Sequence, residues 1–347
     1  MKENALILDL DPELTKDIYS FDKIIGDSPR MAEILHIAQK VKDYKTTILI
    51  TGEPGTGKGF LAKTIHANSN RSSKPFLYLN CNSLTEKEMC CAIAGCVIRD
   101  DEGLKPQKGL LLDAEGGTFF LDEICQMPLS LQLKLLKIIQ DEKFTPIGSH
   151  TPTPFNVRFI FANSKDVSTE VRAGKFLEEL FYKINVVSVA MPPLRQRIED
   201  IPSLANMFLA KHNARLGTKI KTIHPDAMAL LQQYDWPGNI MELESTIERA
   251  LTLTEGDTIM PEIFADLKPK GIQDAMAEIF DDRDLSIKKR SKVLEKELIQ
   301  RALVKTNGNK TQAAHILEIS LPALLYKMKD YGLFTPSYSK EISKETN

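Results

Sequence analysis

The junction at residues 46–59 constrains this chain more than any other feature. An apolar run, Thr46-Thr47-Ile48-Leu49-Ile50-Thr51, feeds directly into Gly52-Glu53-Pro54-Gly55-Thr56-Gly57-Lys58-Gly59, and an amphipathic stretch follows. The spacing matches GxxxxGK. In such a loop the glycines let backbone N–H groups curl round phosphate, the next helix N-terminus favours the anion, and the lysine adds a point charge. The loop needs a strand before it and a helix after it, which commits this part of the chain to an α/β layer. Gly59 stands where a magnesium-binding Ser or Thr is usual.

Further strand candidates are Phe76–Asn80, Thr118–Leu121, Val157–Ala162 and Asn185–Ala190, rich in Val, Ile and Phe with little polar alternation. That is the pattern of strands buried on both faces. They alternate with helical stretches across residues 23–193, which predicts a doubly wound parallel sheet. One of them runs Gly116-Gly117-Thr118-Phe119-Phe120-Leu121-Asp122-Glu123, an apolar strand closed by two carboxylates. Beside a P-loop this reads as a Walker B element. Asp122 would hold magnesium through water, and Glu123 would polarise the attacking water.

Residues 194–266 read as all-helical, with a Trp236-Pro237-Gly238-Asn239 turn between two helices. Residues 1–22 form a short leader with no space for a sensing domain, 267–285 a linker, 286–334 a small all-helical domain and 335–347 a polar tail.

The charge balance separates these parts. Residues 286–347 hold 12 basic against 6 acidic side chains, leaving 33 against 41 for the rest of a chain that totals 45 and 47. A basic domain on an acidic body points to a polyanion partner, or to a solvated charged helix. No apolar run approaches the ~18 residues of a membrane span. The start, MKENALILDLDPE, lacks the basic and apolar segments of a secretory signal. The five cysteines, Cys81, Cys90, Cys91, Cys96 and Cys125, fit no paired zinc pattern. They read either as reduced thiols of a cytoplasmic protein or as a redox or metal site near 90–96.

From about Ile24 to Phe334 the motifs resemble bacterial enhancer-binding proteins, the AAA+ activators of sigma-54 RNA polymerase. Ile25-Gly26-Asp27-Ser28 is similar to the family's domain entry, which sets Ile25 and Gly26 beside an adenine pocket. Leu79-Asn80-Cys81 is similar to its LNC segment, so Asn80 resembles the asparagine that senses the Walker B glutamate. Met127-Pro128-Leu129, the segment Pro192-Pro193-Leu194-Arg195-Gln196-Arg197, and Trp236-Pro237-Gly238-Asn239-Ile240 are similarly diagnostic. The resemblance implies ATP or ADP with Mg²⁺, held by Gly52, Glu53, Pro54, Gly55, Thr56, Gly57, Lys58 and Gly59. It implies a catalytic set of Asp122, Glu123 and Asn80. It also implies a homo-oligomer, dimer or ring, that meets RNA polymerase or related activator subunits. In this family the residue after the lysine is commonly not Ser or Thr, so Gly59 is a mild departure.

Other departures are larger. The GAFTGA loop that contacts sigma-54 is replaced by Cys96-Val97-Ile98-Arg99-Asp100-Asp101-Glu102-Gly103-Leu104-Lys105-Pro106-Gln107, with no Phe or Thr to insert. In the segment similar to F-R-x-D-L-x-x-R-L-N, the two arginine positions are Leu177 and Lys183. The sensor arginine expected after Trp-Pro-Gly-Asn-Ile is Met241, and the A-T-N-R-D sensor segment reads Ala162-Asn163-Ser164-Lys165-Asp166. An arginine finger contributes about 10³–10⁵ in rate, roughly 4–7 kcal/mol of barrier. Lysine keeps the charge but loses the planar fork. These losses predict slow hydrolysis with nucleotide binding retained, unless Arg172, Arg195 or Arg197 substitutes in an assembled ring.

Near the C-terminus an amphipathic stretch, Leu294–Thr306, precedes Gly308-Asn309-Lys310-Thr311-Gln312-Ala313-Ala314-His315-Ile316-Leu317-Glu318-Ile319-Ser320. Asn309 and Ser320 suit helix N-caps, and the paired alanines permit close helix approach. A last helix, Leu321–Tyr331, closes at Gly332. The segment resembles a Fis-type helix-turn-helix, which implies double-stranded DNA as partner through Lys310, Thr311, Gln312, Ser320, Leu321, Ala323, Tyr326, Lys327 and Lys329. Lys327 and Lys329 would meet phosphates, while Leu321 and Ala323 offer only thymine-methyl contacts. The alternative is a helical interaction module without DNA binding. His315 reads as a surface or packing residue.

Together these features predict a transcription regulator with an ATP-binding AAA+ domain that does not activate sigma-54 polymerase. Two alternatives stand beside it. One is an active ATPase that remodels polymerase or another partner. The other is a non-enzymatic subunit that co-assembles with true activators.

Overall fold

The strand-forming segments pair into one sheet because each is apolar on both faces. The computed structural model describes residues 7–8, 19–100, 103–144, 152–267, 286–306 and 308–333. These divide near residue 263 into two units.

In the first unit the strands of the main sheet and of the hairpin that follows Gly95 are β1 (Ile7–Leu8), β2 (Ile48–Thr51), β3 (Phe76–Asn80), β4 (Cys96–Asp100), β5 (Gly103–Gln107), β6 (Thr118–Asp122), β7 (Arg158–Asn163) and β8 (Val187–Ala190). The main sheet has the order β1-β3-β6-β7-β2-β8, parallel throughout except for β1, which runs antiparallel to β3. Alternate residues feed opposite faces. Leu49, Leu77, Leu79, Phe119, Leu121, Phe159 and Phe161 pack on one side. Ile48, Ile50, Phe76, Phe120, Ile160, Ala162 and Val189 pack on the other. Burying each such side chain contributes roughly 1.5–3 kcal/mol, so the doubly wound parallel sheet follows from the pattern of the runs. The expected strand at 185–190 starts later, at Val187, because Asn185 still donates its N–H to Phe181 O (2.9 Å) and closes the preceding helix.

Register decides what this sheet delivers. Thr51 pairs with Asn163, Asn80 with Asp122, and Leu121 with Phe161. The C-terminal ends of adjacent strands therefore present the P-loop, the acidic pair and Ser164 at one edge, where open α/β sheets bind ligands.

The segment in place of GAFTGA is an antiparallel hairpin, with Cys96 opposite Gln107 and Asp100 opposite Gly103; residues 101–102 are outside the described set. The thiols correct the expectation of five reduced cysteines. Cys81, Cys90 and Cys125 are free, but Cys91 and Cys96 are bonded. Gly95, at φ +80°, turns the chain between helix and hairpin and brings their Cα atoms to 5.0 Å. Among the described residues no group of three His, Cys, Asp or Glu side chains is placed to hold a metal.

Helices Ile201–Leu216, Pro225–Gln233 and Asn239–Leu253 form a lid within the first unit. Residues 194–266 are not wholly helical. The β-branched pairs Thr222–Ile223 and Thr258–Ile259 form a short parallel ladder that ties two lid loops together.

The second unit holds helices Ile287–Lys305, Lys310–Ile316 and Leu321–Asp330 around Ile299, Ala302, Ala313, Ala314, Leu324 and Met328. The first of them starts a full two turns before Leu294. Of the expected leader only residues 7–8 and 19–22 are described. The linker beyond Leu267 and the tail at 335–347 lie outside the described residues. No described helix is long and apolar enough to cross a membrane.

Candidate functional site

The P-loop adopts the curl its glycines permit. Gly55 and Gly57 sit at φ +76° and +99°, and a Cβ on Gly55 would lie 2.2 Å from the Gly238 carbonyl oxygen. Thr56 Oγ1 donates to Glu53 O (2.8 Å) and closes the loop. Lys58, the first residue of its helix, is buried. Its Nζ donates to Gly52 O (2.7 Å), Glu53 O (3.3 Å) and Ser164 Oγ (3.3 Å), and lies 3.9 Å from Glu123 Oε1. Burial lowers the Lys58 pKa, with Asp122 and Glu123 opposing. Burial raises that of Asp122, and the neighbouring Glu123 charge adds to the effect. The site is thus short of solvent and set to respond to an added charge.

A cavity of about 700 Å³ opens beside the loop. Its lining includes Ile24 and Ile25 on one side, Gly55 to Gly59 and Asp122 at its base, and Phe208, Lys211 and Met241 from the lid. This size suits a nucleotide. Gly26 is placed differently from expectation. It does not line the cavity; a Cβ there would meet Met31 Cβ at 2.9 Å, so it lets the entry segment lie against the following helix.

Glu53 and Pro54 also face away from the cavity, toward the lid. Arg195 grips the Glu53 carboxylate with both Nη atoms (2.7 and 2.5 Å), a bidentate charge-assisted pair. Asn239 donates to Pro54 O (3.0 Å) and Glu53 Oε2 (3.2 Å) and accepts from Leu194 N (2.7 Å), while Ile240 N donates to Gly55 O (2.9 Å). Buried Arg197 donates to Thr56 O (2.8 Å). Two of the three arginines considered as stand-in fingers therefore act within their own chain, on the back of the P-loop. Arg172 lies away from the P-loop; its side chain is 75% exposed, donates to Thr169 Oγ1 (3.3 Å) and lies 4.0 Å from Asp166.

The positions that should carry family arginines contribute no guanidinium. Leu177 packs against the main core, and Met241 is an exposed thioether on the cavity rim. Lys183 lines a second, smaller cavity with Lys45, Thr46 and Glu142, at the N-terminal ends of the strands and so at the opposite edge from the P-loop.

The acidic pair also departs from expectation. Asn80 donates to Tyr78 Oη (3.2 Å) and accepts from Asn82 N (2.8 Å). Tyr78 in turn donates to Asp122 Oδ2 (3.4 Å), so Asn80 reaches the metal-binding aspartate through Tyr78 and does not bond Glu123. Glu123 is held by Ser164, whose N–H donates at 3.3 Å and whose hydroxyl donates to Oε1. Sequence reasoning missed the roles of Ser164 and Tyr78. The departure at Ser164 within the sensor segment was the available signal.

In the second unit Asn309 Oδ1 accepts from Thr311 N and Gln312 N, and Ser320 Oγ accepts from Ala323 N, so both helices are capped as expected. Lys310, Thr311, Gln312, Ser320, Tyr326 and Lys329 are exposed, Ala323 is half-buried, and Leu321 packs partly into the core. Lys327 is paired within the protein in the absence of DNA. Its ammonium, together with the Tyr331 hydroxyl, is bonded to Glu295 Oε2 on the first helix. That pairing raises the Lys327 pKa and lowers that of Glu295.

Fold and site define a P-loop nucleotide-binding domain with a helical lid, followed along the chain by a helix-turn-helix. Three family models match in the same order: Sigma-54 interaction domain at 24–190, AAA+ ATPase lid domain at 195–276, and Bacterial regulatory protein, Fis family at 292–331. The chain is 38% identical over 321 residues to the regulatory protein AtoC of Escherichia coli, spanning 91% of itself and 69% of that protein. It is 41% identical over 309 residues to the transcriptional regulatory protein ZraR of Klebsiella oxytoca, spanning 88% and 68%. The crystal structure of NtrX from Brucella abortus in complex with ADP matches at TM-score 0.69 and 30% identity, over 92% of this chain and 72% of that one. The chain belongs to the bacterial enhancer-binding regulators that carry a sigma-54 interaction domain. It joins an AAA+ nucleotide-binding domain to a Fis-type DNA-binding domain.

Proposed function

We propose that this regulator binds ATP or ADP with Mg²⁺, turns ATP over slowly, and controls transcription without opening sigma-54 polymerase. One observation carries the reading: a complete phosphate cradle occurs in a chain whose family arginine positions are Leu177, Lys183 and Met241, the last of them on the rim of the cavity beside the cradle. Arg195 and Arg197 brace the P-loop from behind and do not supply the missing charge.

Mg²⁺ fits the donor set. It binds through one or two carboxylates plus phosphate oxygens and water, and Asp122 lies at the cavity base to supply the carboxylate. Gly59 offers no hydroxyl to the ion, although a Cβ there would meet nothing closer than Phe120 at 3.7 Å. Bound magnesium would screen the phosphate charge. The residues that would grip the nucleotide are Gly55 to Gly59, with Ile25 against the base. The proposed working parts are an α/β domain at 23–193, a lid at 194–266 and a DNA reader at 286–334, assembled as a homo-oligomer on duplex DNA. The test is promoter opening in vitro. Purified protein with ATP and sigma-54 polymerase should leave a sigma-54-dependent promoter closed, and an open complex overturns the proposal.

Exposed Arg172 favours a second reading, an active ring ATPase in which it reaches a neighbour's nucleotide. That reading requires turnover per protomer to rise with protein concentration and to be lost in Arg172→Ala.

A further inference from the structure

We infer that Ser164 is a positioning residue that holds the Walker B glutamate away from its working position. The inference deepens the slow-turnover reading above and rests on it. Both oxygens of the Glu123 carboxylate are engaged by one residue. The Ser164 hydroxyl donates to Oε1, and the Ser164 backbone N–H donates to Oε2 at 3.3 Å. The same hydroxyl accepts from Lys58 Nζ at 3.3 Å, and Lys58 stands 3.9 Å from Glu123. A side-chain hydroxyl can donate to the acid and accept from the base at once. It therefore ties the P-loop lysine to the acidic strand end through a single oxygen.

Backbone geometry supports the clasp. Glu123 sits in the left-handed region at φ 54°, where the chain turns sharply out of its strand. The neighbouring strand ends in register, Thr51 opposite Asn163 and Leu121 opposite Phe161, so residue 164 emerges beside residue 123. The pair is shielded, with the Lys58 and Glu123 side chains 7% and 20% exposed, and hydrogen bonds to a charged group strengthen in such surroundings. Asn80 is engaged by Tyr78 and Asn82 and leaves the glutamate to Ser164. Two bonds from one residue fix the plane of the carboxylate and leave one lone pair on each oxygen, aimed as residue 164 dictates and not as an incoming water requires. Glu123 must turn from Ser164 to align on such a water.

The experiment uses the full chain. Ser164→Ala removes the hydroxyl and keeps the backbone N–H. The expected result is a rise in kcat on the order of tenfold, or ~1.4 kcal/mol of barrier. KM for ATP and the equilibrium affinity for a fluorescent ADP analogue should stay unchanged. Ser164→Thr, which restores the hydroxyl, should reverse the gain. Glu123→Gln introduced on the alanine background should abolish it. In a crystal structure of the nucleotide-free alanine variant, the Glu123 carboxylate should have moved off residue 164. A kcat that is unchanged or lower in Ser164→Ala overturns the inference, and so does an equal gain in Ser164→Thr. A change confined to KM or to ADP affinity overturns it as well. The slow-turnover reading stands or falls separately, on the wild-type rate; the clasp is tested by the ratio of variant to wild type.

Discussion

Replacing Asn239 with alanine should unfasten the lid from the P-loop. Asn239 is fully buried at the start of its helix and bridges three segments. Its side chain accepts from Leu194 N and donates to Pro54 O and Glu53 Oε2. Alanine would leave the buried Leu194 N–H unpaired, at about 1–3 kcal/mol, and take a partner from the part-buried Pro54 carbonyl, at about 1 kcal/mol. Residue 239 also has φ 54°. Asparagine tolerates that conformation, whereas a plain Cβ adds roughly 1 kcal/mol. The total is on the order of 4 kcal/mol, which in a domain of this size corresponds to a fall in melting temperature of about 10 °C. Asn239→Gly separates the two contributions. It loses the same hydrogen bonds without the backbone strain, so it should melt between the alanine variant and the wild type. The assay is thermal unfolding followed by circular dichroism, paired with equilibrium binding of a fluorescent ADP analogue, which should weaken in both variants. Wild-type melting in Asn239→Ala would refute the reasoning. Full recovery in Asn239→Gly would show that the hydrogen bonds contribute nothing.

Three further outcomes are expected. Burial holds the His66 pKa down to about 4, against a usual 6.5, and its Nδ1 lies 2.9 Å from Thr118 Oγ1. The unfolded chain therefore binds the proton first, and stability falls as pH drops from 6.5 toward 4 by about 3 kcal/mol. Melting across that range should be shallower in His66→Gln, and parallel curves would count against the assignment. Glu295→Gln should release Lys327 toward phosphate, raising duplex-DNA affinity and steepening the dependence of log K on log salt by about 0.9; an unchanged slope would mean that Lys327 stays on the protein. Met241→Arg returns a guanidinium to the cavity rim and should raise single-turnover ATP hydrolysis at least ~10-fold, whereas no gain would place the defect elsewhere.

The parts legible in the sequence are those whose chemistry demands local spacing. The glycines around Lys58, the acids after Leu121, and the caps Asn309 and Ser320 announce themselves within a few residues. Each forms the local structure its pattern implies. What was not legible depends on which strand ends lie side by side. Ser164 meets Glu123 only because β6 and β7 are neighbours in register. Glu53 has the look of a phosphate-loop residue, yet Arg195, 142 positions away, turns it toward the lid. The partner of Lys327 appears only when the first helix brings Glu295 against it. The hairpin at 96–107 and the Cys91–Cys96 bond likewise follow from the turn at Gly95, which composition does not signal.

Nucleotide affinity and turnover measured on one preparation of the full chain, across a range of protein concentration, test the proposed function most directly. ADP and ATP should bind saturably, while turnover per protomer stays flat with concentration and at least ~10³-fold below that of relatives that keep their arginines. Turnover that climbs with concentration to the rate of those relatives would contradict a regulator that holds nucleotide without hydrolysing it efficiently.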